Sequence, residues 1–185
     1  MPSCLTEQLI VAMSGNGGSA SPPSKQELHE TFLSALDPYV EQNSPVDEVP
    51  LEVDLVSPLP PKVRVYMYNV TSPPGGRPTD EHKSQLIVPG QKRGESASFD
   101  QSEGRIVLLV GYSTEFEVFV LWDAGLYVDF GYSRNVQVKG ETIYQAVAGE
   151  LGRQTRHLHS GTEEVVTSNA SNLKEAILLD RKSVV

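Results

Sequence analysis

From Lys62 the chain alternates strictly, with Val63, Val65 and Met67 on one side of an extended run and Arg64, Tyr66 and Tyr68 on the other. A period of two puts successive side chains on opposite faces, so this run reads as a strand, and the chain must build a sheet around it. Further strand-like runs cover residues 83–88, 105–112 and 117–122, with a short one at 135–139, each bounded by Gly-, Pro- or Ser-containing turns. Helical spacing is confined to three places. Ser24 stands three residues before Glu27, the spacing of a capping box, and Leu28, Phe32, Leu36 and Tyr39 follow, which predicts a helix ending near Pro38. Glu141 and Thr142 open a second helix, with Ile143, Val147 and Leu151 on one side. A third begins at Ser171, with Leu173, Ile177 and Leu178 as its docking residues. A last strand or turn is expected at 163–167. The pattern predicts one α+β domain: a curved, mostly antiparallel sheet flanked by a few helices.

Three segments are expected. Residues 1–23 include the Gly/Ser/Pro-rich "SGNGGSASPP", which holds no large apolar residue and reads as a flexible tail and linker. Residues 24–59 combine the first helix with a proline-rich, acidic, extended arm that wraps the domain, and residues 60–185 form the folded body. Formal net charge is −9, but residues 1–59 carry nine acidic residues against Lys25 alone, whereas 60–160 hold eleven of each sign. The acidity of the whole chain therefore does not exclude a polyanionic partner, because such partners are recognised by local clusters of Lys and Arg. The single cysteine, Cys4, permits no internal disulfide and points to a reducing compartment, with cytoplasm as the expectation. No apolar run has the length of a membrane span, so no membrane partner is expected.

Three stretches carry candidate chemistry. "GRPTDEHKSQLIVPGQKRG" (76–94) places Arg77, Lys83, Gln85, Gln91, Lys92 and Arg93 on or beside glycine-bracketed turns, where cations reach phosphates and amides meet base edges. The bland alternative is a solvated hairpin tip. "FVLWDA" ends on Trp122 and Asp123, with Tyr112 and Tyr132 near in sequence. Aromatic rings beside a carboxylate suit a pocket for an extruded base, the rings stacking on it and the carboxylate accepting from a cytosine amine. The alternative is a core Trp followed by a turn-capping Asp. "YSRNVQVKG" adds Ser133, Arg134, Gln137 and Lys139 as further DNA contacts. Gln137-Val138-Lys139 with Asp123 or Asp129 upstream also permits a small metal-dependent nuclease, and a protein-interaction module is a third reading. His157 and His159 lack further ligands at metal-site spacing and read as a solvated loop, and no nucleotide-binding or hydrolase motif occurs. No cofactor and no metal are expected, and no residue is assigned as catalytic.

The series "GGRPTDEHKSQLIVPGQKRG", "LLVGYSTEFEVFVLWDA" and "YSRNVQVK" resembles the N-terminal recognition region of modification-dependent restriction endonucleases of the MspJI and AspBHI kind, over about residues 60–180. The resemblance implies a sheet like that of the SET- and RING-associated (SRA) methylcytosine reader, a double-stranded DNA partner carrying a modification, and a base flipped into a pocket at Asp123 and its aromatic neighbours. Those relatives also carry a nuclease domain. At 185 residues there is no room for one here, which implies an excised recognition domain or a reader working with a nuclease subunit. The long acidic arm is a second departure.

Overall fold

The computed structural model describes residues 21–73 and 80–182. Most of the expected linker, and Arg77, lie outside the described residues.

In chain order the elements are α1 (Lys25–Ala35), β1 (Val40–Asn43), β2 (Leu51–Leu55), β3 (Lys62–Asn69), β4 (Glu81–Leu86), β5 (Ser96–Ala97), β6 (Ile106–Ser113), β7 (Val118–Trp122), β8 (Phe130–Gly131), β9 (Arg134–Lys139), α2 (Gly140–Val147), β10 (Gly152–Leu158), β11 (Gly161–Ser168) and α3 (Leu173–Lys182). Seven strands form one open sheet in the order β1-β2-β3-β6-β7-β11-β10, and β4–β9 and β5–β8 form separate two-stranded ribbons. Every pairing is antiparallel except β3 with β6. The domain is α+β, as the periodicities predict, and the sheet does not close into a barrel.

The alternation of β3 divides two cores. Val63, Val65 and Met67 face Leu28 and Phe32 of α1, Leu36 at its C-cap, and Leu173, Ala176 and Ile177 of α3. Tyr66 and Tyr68 face Leu86, Val136 and Val138 of the β4–β9 ribbon, Phe99 and Phe130, and Ile143 and Ala146 of α2. The helices α1 and α3 thus cover one face of the sheet, and the ribbons with α2 cover the other. Ser24 caps α1 as its spacing predicts, accepting from the Glu27 amide while Glu27 accepts from the Ser24 amide. In α2 the inward residues are Thr142, Ile143 and Ala146; Val147, expected to face inward, is 53% exposed at the end of an eight-residue helix too short to carry its last turn over the core.

Two elements differ from expectation. The arm contributes paired strands, since β2 buries Leu51, Val53 and Leu55 and pairs with β3. The "GRQTRHL" segment holding His157 is strand β10, paired along its whole length with β11. Among the described residues, no helix is long and apolar enough to cross a membrane.

Candidate nucleic-acid interface

In the β4–β9 ribbon Glu81 faces Lys139, Lys83 faces Gln137 and Gln85 faces Asn135. Alternation places these six side chains on the outer face, while His82, Ser84, Leu86, Val136 and Val138 turn inward and are buried. Lys83, Gln85, Gln137 and Lys139, all sequence-predicted contacts, therefore share one surface. Asn135 joins them and was missed, because its membership follows from the register and not from its own neighbourhood. Gln137 and Glu81, 56 positions apart, are tied across the ribbon by an amide-to-carboxylate hydrogen bond of 2.6 Å.

The ribbon is held to the sheet from behind. The Trp122 indole N–H donates to the Gln137 carbonyl at 3.0 Å, the Ser84 hydroxyl donates to the Asn69 carbonyl at 2.9 Å, and the backbones of Thr71 and Lys83 bond to each other. A polar surface on a rigid two-stranded ribbon is a shape that the major groove of B-DNA admits.

Charge is sorted in the same direction. Arg64 is buried against Glu52, Asp100 and Glu103; Arg105 pairs with Glu52 and Asp54; Arg153 and Arg156 pair with Glu164 and Glu163. Lys83, Lys92, Arg93, Arg134 and Lys139 form no ion pair among the described residues. Five of the eight described cations without an ion pair thus lie on the ribbon and on the turn at 89–95, the others being Lys25, Lys62 and Arg181.

That turn is shaped by Gly90 (φ +83°) and Gly94 (φ +85°), a backbone region that side chains other than glycine rarely occupy. Lys92 and Arg93 are exposed at its tip. Gln91 is not available to a base edge. Its carbonyl oxygen accepts from the Val88 amide, and its amide nitrogen donates to the Glu95 and Phe130 carbonyls, so the side chain braces the turn. Arg93 meets Tyr132 and Ser133 along a groove of about 460 Å³ beside β5 and β8. Arg134 stands exposed at the start of β9.

The predicted base pocket is not assembled by its four residues. Trp122 is fully buried in the core beneath the ribbon, out of reach of any base. Tyr112 packs on Phe119 at 4.8 Å between ring centroids, on the opposite face of the sheet. Asp123 accepts from the Gly125 amide at 2.9 Å and caps a short 3-10 turn beside Arg105 and Asp180, while Tyr132 lies in the groove with Arg93. The nuclease constellation is likewise scattered. Asp123 lies in that separate groove, Asp129 is tied to Ser98, and Gln137 and Lys139 border a third groove with Arg156 and His157.

A different cavity does lie against the ribbon. A cleft of about 1050 Å³ opens beside β4, bounded by Lys83 and Gln85, by the apolar Tyr68, Ile87, Val88 and Pro89, and by Lys25, Asp47, Val49 and Asn69 across it. Tyr68 is buried, with its hydroxyl donating to the Ile87 carbonyl at 3.1 Å, and burial raises its pKa. The Lys25 ammonium sits 4.0 Å from the centre of the Tyr68 ring and donates to the Met67 carbonyl. Burial pushes its pKa down to about 8. No carboxylate pairs with Lys25 among the described residues.

A family model described as Methylase-associated X1 matches residues 61–177, a span that contains the ribbon, the turn and most of the cleft wall. The chain belongs to the Methylase-associated X1 family. That association places it in the setting of restriction and modification. No curated protein and no solved structure matches the chain.

Proposed function

We propose that the chain reads double-stranded DNA carrying a modified base, as the recognition part of a restriction-modification or defence system that works with a nuclease domain or subunit. The observation that carries the reading is the outer face of the β4–β9 ribbon. There Lys83, Gln85, Asn135, Gln137 and Lys139, with the one carboxylate Glu81 held by Gln137, form a polar surface on which neither lysine has an ion-pair partner among the described residues, beside a cleft large enough for an extruded nucleotide. The ribbon lies in the major groove. Lys92, Arg93 and Arg134 contact phosphates, the outer amides meet base edges, and the cleft replaces the predicted Trp122–Asp123 pocket as the receptacle for the flipped base. In this role the chain is the counterpart of the recognition region of the MspJI- and AspBHI-type endonucleases. The open, mostly antiparallel sheet with flanking helices supports that comparison with SRA-like readers.

The test is a fluorescence-anisotropy titration with matched duplexes carrying cytosine or modified cytosine at one position, over a range of salt. The parent should bind a modified duplex more tightly. Lys92→Ala/Arg93→Ala should weaken binding to every duplex and lower the slope of log K against log salt by about 0.9 for each phosphate that is no longer neutralised. Absence of binding to any duplex at 50 mM salt, a condition under which phosphate-contacting proteins bind even nonspecific DNA, would refute the reading.

A further inference from the structure

The cleft has a polarity that an unmodified or methylated base does not use. Lys25 occupies the first turn of α1, where the helix dipole disfavours a cation and an acidic residue is the usual occupant. Its ammonium is half-buried, with one backbone carbonyl and the face of Tyr68 as its protein partners. A partly desolvated cation without a carboxylate is costly in the empty protein; the Met67 carbonyl and the Tyr68 face offset part of that cost, and a ligand that brings an acceptor or a negative charge offsets more. Lys83 adds a second unpaired cation to the same cleft, and Asp47 at the rim offers the acceptor that a cytosine exocyclic amine requires. Between them the apolar Tyr68, Ile87 and Val88 suit the flat faces of a base.

We infer that the cleft selects a cytosine whose 5-position carries an oxygen-bearing anionic group, a carboxylate, in preference to a methyl group, and that Lys25 is the residue that determines this choice. The inference rests on the reading of the chain as a modified-DNA reader. A methyl group placed against Lys25 would shield the ammonium from water and offer it no acceptor. A hydroxymethyl group would supply one hydrogen bond to the cation, and a carboxylate would supply a charge-assisted one. The order of affinity is therefore carboxyl, then hydroxymethyl, then methyl.

The experiment compares four duplexes that differ only at one cytosine, bearing hydrogen, methyl, hydroxymethyl or carboxyl at the 5-position. Each is titrated against the parent, Lys25→Met and Lys25→Gln, after thermal melting has established that all three are folded. The parent should prefer the carboxyl to the methyl duplex by on the order of tenfold, the usual worth of one hydrogen bond between charged partners. Lys25→Met should bring that ratio, read within the variant itself, to within about twofold, since the ammonium's bond to the 5-substituent is what separates the carboxyl from the methyl duplex. Lys25→Gln keeps a donor without the charge, so it should retain the hydroxymethyl preference and lose the carboxyl advantage. Equal weakening of all four duplexes by Lys25→Met would make Lys25 a phosphate contact and overturn the inference, while leaving the DNA-reading role intact. A parent that binds duplexes but ranks methyl at or above carboxyl would overturn it too. A parent that binds none of the four would overturn both.

Discussion

Gly111→Ala tests how the reading surface is attached to the core. Gly111 lies on β6 opposite Val120, and the Trp122 ring lies over it; a Cβ built there would stand 2.6 Å from Trp122 Cζ3 and from Val70 Cγ2, and 2.7 Å from Trp122 Cη2. Carbon atoms do not approach so closely, so the Trp ring must move. Overpacking of this kind costs about 1–3 kcal/mol. The ring is also the donor that holds the ribbon, and losing its 3.0 Å bond to the Gln137 carbonyl adds about 1 kcal/mol. The expected total is about 2–4 kcal/mol, a fall in Tm of roughly 5–15 °C for a domain of this size. Urea unfolding followed by far-UV circular dichroism, a signal that the variants lacking the single Trp also give, measures it directly. Trp122→Phe removes the Cζ3 and Cη2 atoms that meet the new Cβ, so the double variant should be less destabilised than the sum of the single ones, by about 1 kcal/mol or more. A Gly111→Ala cost below about 0.5 kcal/mol, or additivity within about that margin, would refute the argument that glycine makes room for the indole here.

Lys25→Met should stabilise the protein below pH 8. Folding lowers the ammonium pKa from 10.5 to about 8, a cost of about 3 kcal/mol offset by about 1 kcal/mol for the hydrogen bond removed. The unfolded chain binds more protons between those values, so the parent should gain stability as pH rises from 8 to 10.5 and the variant's advantage should vanish in melts taken across that range. Asp180 behaves in the opposite sense. Burial, with Asp123 and Glu163 nearby, raises its carboxyl from 3.8 to about 7, so its contribution is fully present below pH 3.8 and is lost as pH rises through 7. Asp180→Asn should melt like the parent near pH 4 and several degrees above it at pH 8. Arg64→Met should cost about 1–3 kcal/mol in urea unfolding because it removes the bonds of a buried guanidinium to Glu52 and to the Asp100 carbonyl, while Glu52 keeps Arg105. Glu103→Ala, which removes a partner whose side chain is 70% exposed, should cost less than about 1 kcal/mol.

The parts of the fold that could be read from the sequence are those whose signal is local. The two faces of β3 follow from alternation, and α1 follows from Ser24, Glu27 and its apolar spacing. β10 could not be read this way, since "GRQTRHL" offers one apolar side chain and is a strand because β11 supplies a complete row of backbone partners at the sheet edge. In β2 the alternation of Leu51, Val53 and Leu55 is present, but the prolines around it suggested an unpaired arm. The candidate site was half legible. Lys83 and Gln85 on one run and Gln137 and Lys139 on another have the right spacing to share a face, but their union depends on β4 pairing with β9. Trp122 was misassigned for a reason visible in the sequence. A glycine inside the apolar run "LLVGY" marks a close approach, and Gly111 is the floor on which the indole packs. Lys25 gave no signal beyond a cation in the first turn of a helix.

The acidic arm and the basic turn, which conflict as whole-chain numbers, are reconciled by where each charge is used. Glu52 and Asp54 of β2 face the core side of the molecule's charge network, where they neutralise Arg64 and Arg105 on β3 and at the start of β6. Those carboxylates are structural, since removing them would leave the mostly buried Arg105 without an ion-pair partner and take one of three from Arg64. The arginines they bind are in turn withdrawn from any ligand. Among the described residues the cations of the ribbon and its turn receive no such partner, so Lys83 and Lys139 outnumber the one carboxylate, Glu81, on the outer face of β4 and β9, and Lys92, Arg93 and Arg134 extend the positive side, whatever the net charge of −9. An acidic protein can present a polyanion-binding surface in this way because Glu52 and Asp54 are taken up by arginines of the fold, and because β2 brings those two carboxylates against the one strand that carries a buried arginine.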